Sequence, residues 1–192
     1  MAKVRKRAMR AGNMLNPTLV VMVSCGNTVG DYNIITVAWT GTTNSDPPGC
    51  FVSIRPERLS HEIIKNTGCF VINLVDRNLA ACADWCGVVS GRKYNKFLET
   101  GLTPIRASKV NAPMIEESPV NIECKVTQVI PLGTHDMFLA EVMAVHANES
   151  LFSKKTDALE LQYAKLVCYS HGHYYALGEK IGKFGFSVEK NR

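Results

Sequence analysis

Seven apolar runs rich in Val, Ile, Phe and other strand formers recur along most of the chain, at residues 19–25, 34–40, 50–54, 69–75, 120–130, 137–146 and 164–169. Turn-forming residues separate them. Short strands punctuated in this way argue for a mainly β fold, a β-barrel or sandwich, with few helices. Helical patterns occupy residues 60–67, 78–85 and 94–100, and they read as covers for the openings of a barrel. No internal repeat, low-complexity tract or Pro/Gly/Ser-rich linker divides the sequence, so residues 1–192 read as one domain with a basic N-terminal arm over 1–11.

The densest chemistry lies in residues 32–75. NIITVAWTG is followed by the turn cluster TTNSDPPG, in which Pro47 and Pro48 remove two backbone donors and fix two φ angles, and then by CFVSI. This reads as strand, turn and strand. After Ile54 the character changes: Arg55, Arg58, Ser60 and His61 crowd donors into seven residues, just before a helical pattern closed by Gly68. A helix N-terminus presents free N–H groups and the positive end of a dipole, and Ser60 is placed to be its N-cap, so a phosphate fits there. The plainer alternative is that Ser60 only caps the helix while Arg55 and Arg58 are solvated.

Net charge narrows the function classes. Lys and Arg number 22 against 17 Asp and Glu, a balance of +5, yet Lys3, Arg5, Lys6, Arg7 and Arg10 all sit in the arm. The body is near neutral, with no basic face interleaved with aromatics of the kind nucleic acid requires. The arm is not followed by the apolar stretch of a secretory signal, and no run reaches the ~18 apolar residues of a membrane span, so a cytoplasmic protein is expected. Seven cysteines is an odd number, and Cys25, Cys50, Cys69, Cys124 and Cys168 fall within or beside strand-like runs, as reduced small hydrophobes do.

Three further clusters carry alternatives. Cys82 and Cys86, four residues apart, share a helix face and with Cys168, His171 and His173 offer a metal set, but two cysteines in an Ala-rich helix also read as packing residues, and no metal is assigned. Residues 90–97, SGRKYNKF, join a glycine hinge to three cations and two aromatics, either a second approach to an anionic planar ligand or a solvated loop. Residues 169–175, YSHGHYY, would stack on a flat ring or make a subunit contact. Neither a P-loop nor a Rossmann glycine fingerprint is present, so a nucleotide would have to be held at a barrel rim.

Taken in order, these residues resemble the flavin reductase-like proteins with the FMN-binding split barrel, and within them the flavoredoxin-type branch. The resemblance runs through Gly12-Asn13-Met14-Leu15-Asn16-Pro17, residues 33–39 with Ser45-Asp46-Pro47-Pro48, Ser53-Ile54-Arg55-Pro56 with Ser60, residues 70–74, Cys86-Gly87 with Ser90-Gly91 and Lys96-Phe97, Gly133-Thr134-His135-Asp136 and Leu177-Gly178-Glu179. It implies a homodimer of split barrels, each binding FMN near the subunit boundary. By that resemblance Thr36, Ala38 and Trp39 line the flavin, Ser53, Ile54, Arg55 and Ser60 hold the ribityl chain and phosphate, and Ser90, Gly91 and Lys96 approach from the other side. His173 and Tyr174 are then candidates for the ring face where a donor or acceptor docks. Arg55-Pro56-Glu57-Arg58 stands where many relatives carry Asn-Arg-Ser-Ser.

The activity expected from this resemblance is NAD(P)H-dependent flavin reduction, with NADH or NADPH as donor and a free flavin, a metal ion or an electron-transfer protein as acceptor. No catalytic side chain is required, because hydride passes directly between stacked rings. Two other readings stand beside it: a non-enzymatic FMN electron-transfer protein reduced by a partner, and an FMN-free metal-binding or interaction barrel.

Overall fold

A computed structural model describes residues 4–188 of the chain; Lys3 of the basic arm lies outside them. In chain order its elements are β1 (Thr18–Leu19), β2 (Val21–Cys25), β3 (Asn33–Val37), β4 (Thr40–Ser45), β5 (Pro48–Ile54), α1 (Leu59–Thr67), β6 (Cys69–Leu74), α2 (Ala80–Val88), α3 (Lys96–Thr100), β7 (Pro104–Arg106), β8 (Pro113–Ile115), β9 (Val120–Pro131), β10 (Asp136–Ala147), β11 (Val167–Ser170) and β12 (His173–Ala176). Strand β2 organises the rest, since all five of its residues are buried. A strand covered on both faces shows no polar alternation, and VMVSC has little. Val21, Val23 and Cys25 join the cluster inside the barrel, while Val20 and Met22 join a second cluster with Ala83 and Cys86 of α2 and Phe97 of α3.

Seven strands form one sheet in the order β3-β2-β6-β9-β10-β5-β4, with every neighbouring pair antiparallel. Its two edge strands, β3 and β4, are consecutive in the chain with only Ala38 and Trp39 between them. The sheet must therefore curl until its edges meet. Ile35 and Val37 of β3 accordingly share the interior cluster with Cys50, Val52 and Ile54 of β5. Among the described residues no ladder joins β3 to β5; the Ser53 N–H donates to the Trp39 carbonyl at 2.9 Å, which continues the β4–β5 register to the head of the seam. The barrel is split along this seam.

The structure corrects several boundaries and roles. Residues 42–45, read as part of a turn, belong with Thr40 and Gly41 to the edge strand β4, paired with β5 around the two-residue turn Asp46-Pro47. Its side chains are mostly exposed and polar, so no apolar alternation marks it. Ser60 is not the N-cap of α1: Arg58 takes that position without a side-chain bond, while Ser60 sits buried in the first turn and accepts from Asn33 Nδ2 at 2.8 Å. Gly68 does close the helix, in the left-handed region and with its N–H on the Ile64 carbonyl. Helix α2 starts later than residue 78 because the Asp76 carboxylate takes the N–H groups of Asn78 and Leu79 at 3.0 Å each and holds them in a turn. Of the three helices only α1 reaches the interior cluster, through Ile64; α2 and α3 cover the outer face of β2 and β3 rather than an opening.

Two buried polar nodes pin the outer hairpin β7–β8 and its loop. Asn73 on β6 donates to the Met22 carbonyl at 2.9 Å and accepts from the Ile115 N–H and from Asn121 Nδ2, at 3.0 and 2.8 Å. Glu123 on β9 is wholly buried and accepts from the Ser108 N–H and hydroxyl, the N–H groups of Lys109 and Val110, and His146 Nε2, at 2.6–2.9 Å. Burial pushes the Glu123 carboxyl up, but these donors outweigh it and hold it down to about 2.

Candidate functional site

The seam opens into two adjoining hollows. Sheet geometry makes the first: with the lips β3 and β5 unpaired beyond Trp39, a cleft of about 320 Å³ runs between Thr36, Ala38 and Trp39 on one side and Ser53, Ile54 and Arg55 on the other. His135, the residue before β10, leans over it with its ring 4.3 Å from that of Trp39. Burial lowers the His135 pKa and the nearby Arg55 charge adds to this, so the ring is neutral at neutral pH. Its partner Asp136 turns the other way and meets His61 Nε2 at 2.8 Å. That pair ties the first turn of α1 to the start of β10. Thr36 is oriented by its hydroxyl, which donates to the Ala83 carbonyl of α2.

Ile35, Arg55 and Arg58 line both this cleft and a second hollow of about 380 Å³. The second is walled by Asn33, Leu59 and Ser60 of the first turn of α1, by Ser90 and Gly91, by Glu57 and by Lys96. Gly91 is there because nothing larger fits: a Cβ would lie 2.2 Å from Asn33 Oδ1, so the bare backbone of residues 89–91 closes down over Asn33. Arg92 anchors that loop to α1 through Glu62 at 2.9 Å.

Lys96 is the unusual group. It is 3% exposed, at the start of α3, where the Asn95 side chain accepts from the Leu98 N–H and fixes the turn. Its Nζ donates to the Cys86 carbonyl at 2.6 Å, and no carboxylate pairs with it among the described residues. Burial, partly offset by Cys86 and reinforced by the charge of Arg58, pulls its pKa down to about 8. A buried ammonium that no carboxylate neutralises is costly, and an anion entering the hollow would relieve that cost. Among the described residues the one carboxylate on the rim is Glu57, at 3.7 Å from the exposed guanidinium of Arg55.

All ten residues expected to hold a cofactor, Thr36, Ala38, Trp39, Ser53, Ile54, Arg55, Ser60, Ser90, Gly91 and Lys96, thus line one continuous groove. His173 and Tyr174 do not line it. His173 is exposed on β12, and Tyr174 donates its hydroxyl to Asp84 at 3.1 Å and packs on Tyr169. From the same hairpin the structure brings Tyr169 to the groove instead. Sequence reasoning also passed over His135 and Asn33 as site residues, although HD before an apolar strand and N at the start of one were both visible signals. The Cys82/Cys86 and Cys168/His171/His173 set does not assemble: no group of three or more His, Cys, Asp or Glu gathers among the described residues. Burial pushes the Cys86 thiol up to about 11, which leaves it un-ionised at neutral pH.

Compared with known proteins, the flavin reductase like domain matches residues 13–178. The chain belongs to this family. Flavoredoxin of Desulfovibrio vulgaris (Miyazaki F) superposes with a TM-score of 0.89 at 29% identity, over 96% of this chain and 100% of that one. An uncharacterized protein of Aeropyrum pernix is 33% identical over 134 residues, 69% of this chain and 51% of that protein. The high molecular weight rubredoxin of Moorella thermoacetica is 28% identical over 136 residues, 70% of this chain and 52% of that protein. The chain therefore spans about half the length of the latter two. With the family established, the curled sheet and its seam are the flavin reductase-like split barrel, mostly β with a few short helices.

Proposed function

We propose that the groove binds FMN and that the protein is an NAD(P)H-dependent oxidoreductase of the flavin reductase type, passing electrons to a flavin, a metal ion or a protein acceptor. The observation that carries this reading is Lys96: a buried cation beside Arg58, Ser60 and the first turn of α1 makes one end of the groove an anion site, and the other end is a flat cleft beside Trp39 and His135. A phosphate joined to a planar ring by a polar chain matches that sequence of surfaces. Bound FMN would supply the two-electron acceptor for hydride from a nicotinamide. The chain's own contribution is to hold and orient. Lys96 and the α1 N–H groups fix the phosphate, Gly91 permits close approach, and Trp39 with neutral His135 sets the plane of the ring without adding a charge to it.

A second reading, a flavoredoxin-like carrier reduced by a partner protein, is favoured by the likeness to Desulfovibrio flavoredoxin and by the relative that bears the name rubredoxin. We also read the protein as a homodimer, because Leu177, Ile181, Phe184 and Phe186 leave an exposed apolar tail, and as cytoplasmic, because all seven cysteines are free. No helix of the described residues is long and apolar enough to cross a membrane.

The absorbance spectrum of purified protein with added FMN tests the cofactor, and anaerobic addition of NADH or NADPH tests the enzyme. Bleaching of the bound flavin within seconds supports the reductase, whereas bleaching only by a reduced rubredoxin supports the carrier. A colourless protein that takes up no FMN overturns both.

A further inference from the structure

All seven cysteines are free, and two of them meet inside the barrel. Cys50 on β5 and Cys124 on β9 stand 74 residues apart in sequence, yet their sulfurs lie 3.5 Å from each other. Neither lines the groove. A cysteine that only fills space can sit anywhere in a core, whereas two that touch make a dithiol.

The strands that carry them are not neighbours. Cys50 lies opposite Ala140 of β10 and Cys124 opposite Val142, so the pair reaches across β10 from its two flanks. Ala140 is buried in the same cluster, and its single methyl leaves room for the contact. The β9–β10 ladder shifts register on both sides of this point, between Leu139 and Ala140 and between Val142 and Ala144. Such irregularities bend a strand, and a sheet bent there carries the two flanking strands towards each other on its concave side. From contact at 3.5 Å, roughly 1.5 Å remains to be closed before a bond of about 2.05 Å forms.

The two thiols are not equivalent. Cys50 is 7% exposed and Cys124 0%, so a small oxidant arriving from solvent meets Cys50 first. The hydrogen bond from the Cys124 thiol holds Cys50 below the ordinary thiol range against the opposing effect of burial, and the same bond, together with burial, pushes Cys124 up. The thiolate is the attacking form, and it is favoured at Cys50.

We infer that Cys50 and Cys124 are a redox site, a dithiol that hydrogen peroxide converts to a disulfide spanning β10, with Cys50 the attacking and Cys124 the resolving thiol. The Cys50 sulfur attacks one oxygen of the peroxide; the O–O bond breaks, the second oxygen leaves as hydroxide and takes the thiol proton to become water, and Cys50 is left as a sulfenic acid. The Cys124 sulfur then displaces that hydroxyl: the S–S bond forms, the S–O bond on Cys50 breaks, and hydroxide leaves with the Cys124 proton as a second water. Two thiols lose two electrons, and one peroxide is reduced to two waters. A link that draws together strands with a third between them is readily reduced, so a dithiol reductant returns both thiols. The site stands whether or not the groove binds a flavin.

Reduced protein without added flavin is treated with one equivalent of hydrogen peroxide and quenched by alkylation. Free thiols are counted in denaturant, and linked peptides are identified by mass spectrometry after a digest that cuts between Cys25 and Cys50. The protein is expected to lose two of its seven free thiols and to regain both with dithiothreitol. The Cys50–Cys124 link should be at least about 10-fold more abundant than any other, because the two sulfurs are already held in contact. Cys124→Ala should stop at the sulfenic acid, trapped on Cys50 by dimedone, whereas Cys50→Ala should give neither a link nor an adduct at Cys124. Wild-type protein decides the matter without any substitution: peroxide that leaves all seven thiols intact, links a different pair, or carries Cys50 on to a sulfinic acid without a link overturns the inference. A dimedone adduct on Cys124 in Cys50→Ala, with none on Cys50 in Cys124→Ala, overturns the assignment of Cys50 as the attacking thiol.

Discussion

Two places in this barrel gather donors, and they treat them in opposite ways. Around Glu123 the N–H groups of Ser108, Lys109 and Val110, the Ser108 hydroxyl and His146 all converge on a carboxylate that the chain itself supplies. Around Lys96 the chain brings a buried ammonium, Arg58, Ser60 and the start of α1 to a hollow where, among the described residues, one carboxylate, Glu57, stays at the rim beside Arg55. Donors satisfied internally stabilise the fold. Donors left facing a hollow make the fold carry a cost that a ligand removes. The comparison therefore predicts opposite signs for the same kind of substitution at the two places.

The largest effect belongs to Glu123. Glu123→Ala strands several buried donors at once and is expected to remove about 3–5 kcal/mol of unfolding free energy, read from urea denaturation. Its pH dependence follows from the direction of the shift. A carboxyl held down to about 2, against an ordinary 4.5, stabilises the fold fully above 4.5, and that contribution is lost as pH falls from 4.5 towards 2. Glu123→Gln should flatten the acid limb of the stability curve in that window. An unchanged acid limb would mean that the network is not what it holds together.

Lys96→Met comes next, with the sign reversed for the fold. Replacing a buried ammonium bonded to one carbonyl by an apolar chain of similar length should leave stability unchanged or raise it. FMN binding should weaken by about 10- to 150-fold, the equivalent of one charge-assisted hydrogen bond of about 1.5–3 kcal/mol, while riboflavin binding stays put. A variant that loses both ligands equally, or unfolds, would make Lys96 a structural residue and erase the contrast with Glu123.

Titration sharpens the same point without mutation. Lys96 has a folded pKa of about 8, below its ordinary 10.5, so the unfolded chain binds the proton more tightly and the empty protein gains stability as pH rises from 8 to 10.5. Phosphate needs the ammonium form, so FMN affinity should fall over that same range, by about 10-fold, with riboflavin flat. Equal pH profiles for the two ligands would remove Lys96 from the phosphate end.

Much of this was legible in the sequence, and the omissions have physical causes. The seven strand runs and the glycine stops of α1 and α3 are local signals, carried by apolar character and by the left-handed positions of Gly68 and Gly101. Strand β4 does not stand out because an exposed edge strand needs only a hydrogen-bonding neighbour: its Thr40-Gly41 reads as the end of the preceding run and its TTNS as a turn. Ser60 looked like a cap because its position in sequence is right; its inward turn to Asn33, 27 residues away, is a tertiary fact. The donor-rich run Arg55 to Ser60 and the loop 90–97 stand out by their own composition and spacing, whereas Thr36, Ala38, Trp39, Ser53 and Ile54 come from family resemblance alone. Their convergence depends on a sheet whose edge strands are joined by two residues, and no local pattern encodes that closure. His173 and Tyr174, singled out by the resemblance from the aromatic cluster 169–175, lie on a hairpin whose His171-Gly172 turn, with both φ angles positive, sends Tyr174 to Asp84 and leaves Tyr169 and His171 on the side of the apolar cavity next to Trp39.

The smallest expected effect is at Arg55, and it tests whether the boundary between fold and site follows burial or merely charge. Arg55 lines the groove as Lys96 does, but its side chain is 55% exposed and already sits near Glu57. In water a pair of this kind contributes about 0.2–1 kcal/mol, because solvent screens it and a long side chain must be ordered to form it. Arg55→Ala should therefore weaken FMN by only about 1.5- to 5-fold, and that loss should vanish in high salt. Glu57→Ala gives the mirror image: freeing Arg55 from its neighbour should strengthen FMN binding by a comparable factor at low salt. If Arg55→Ala instead matched Lys96→Met in size, the guanidinium would have to leave Glu57 and close over the phosphate on binding. The anion site would then be completed by its ligand, unlike the Glu123 network, which the chain completes alone.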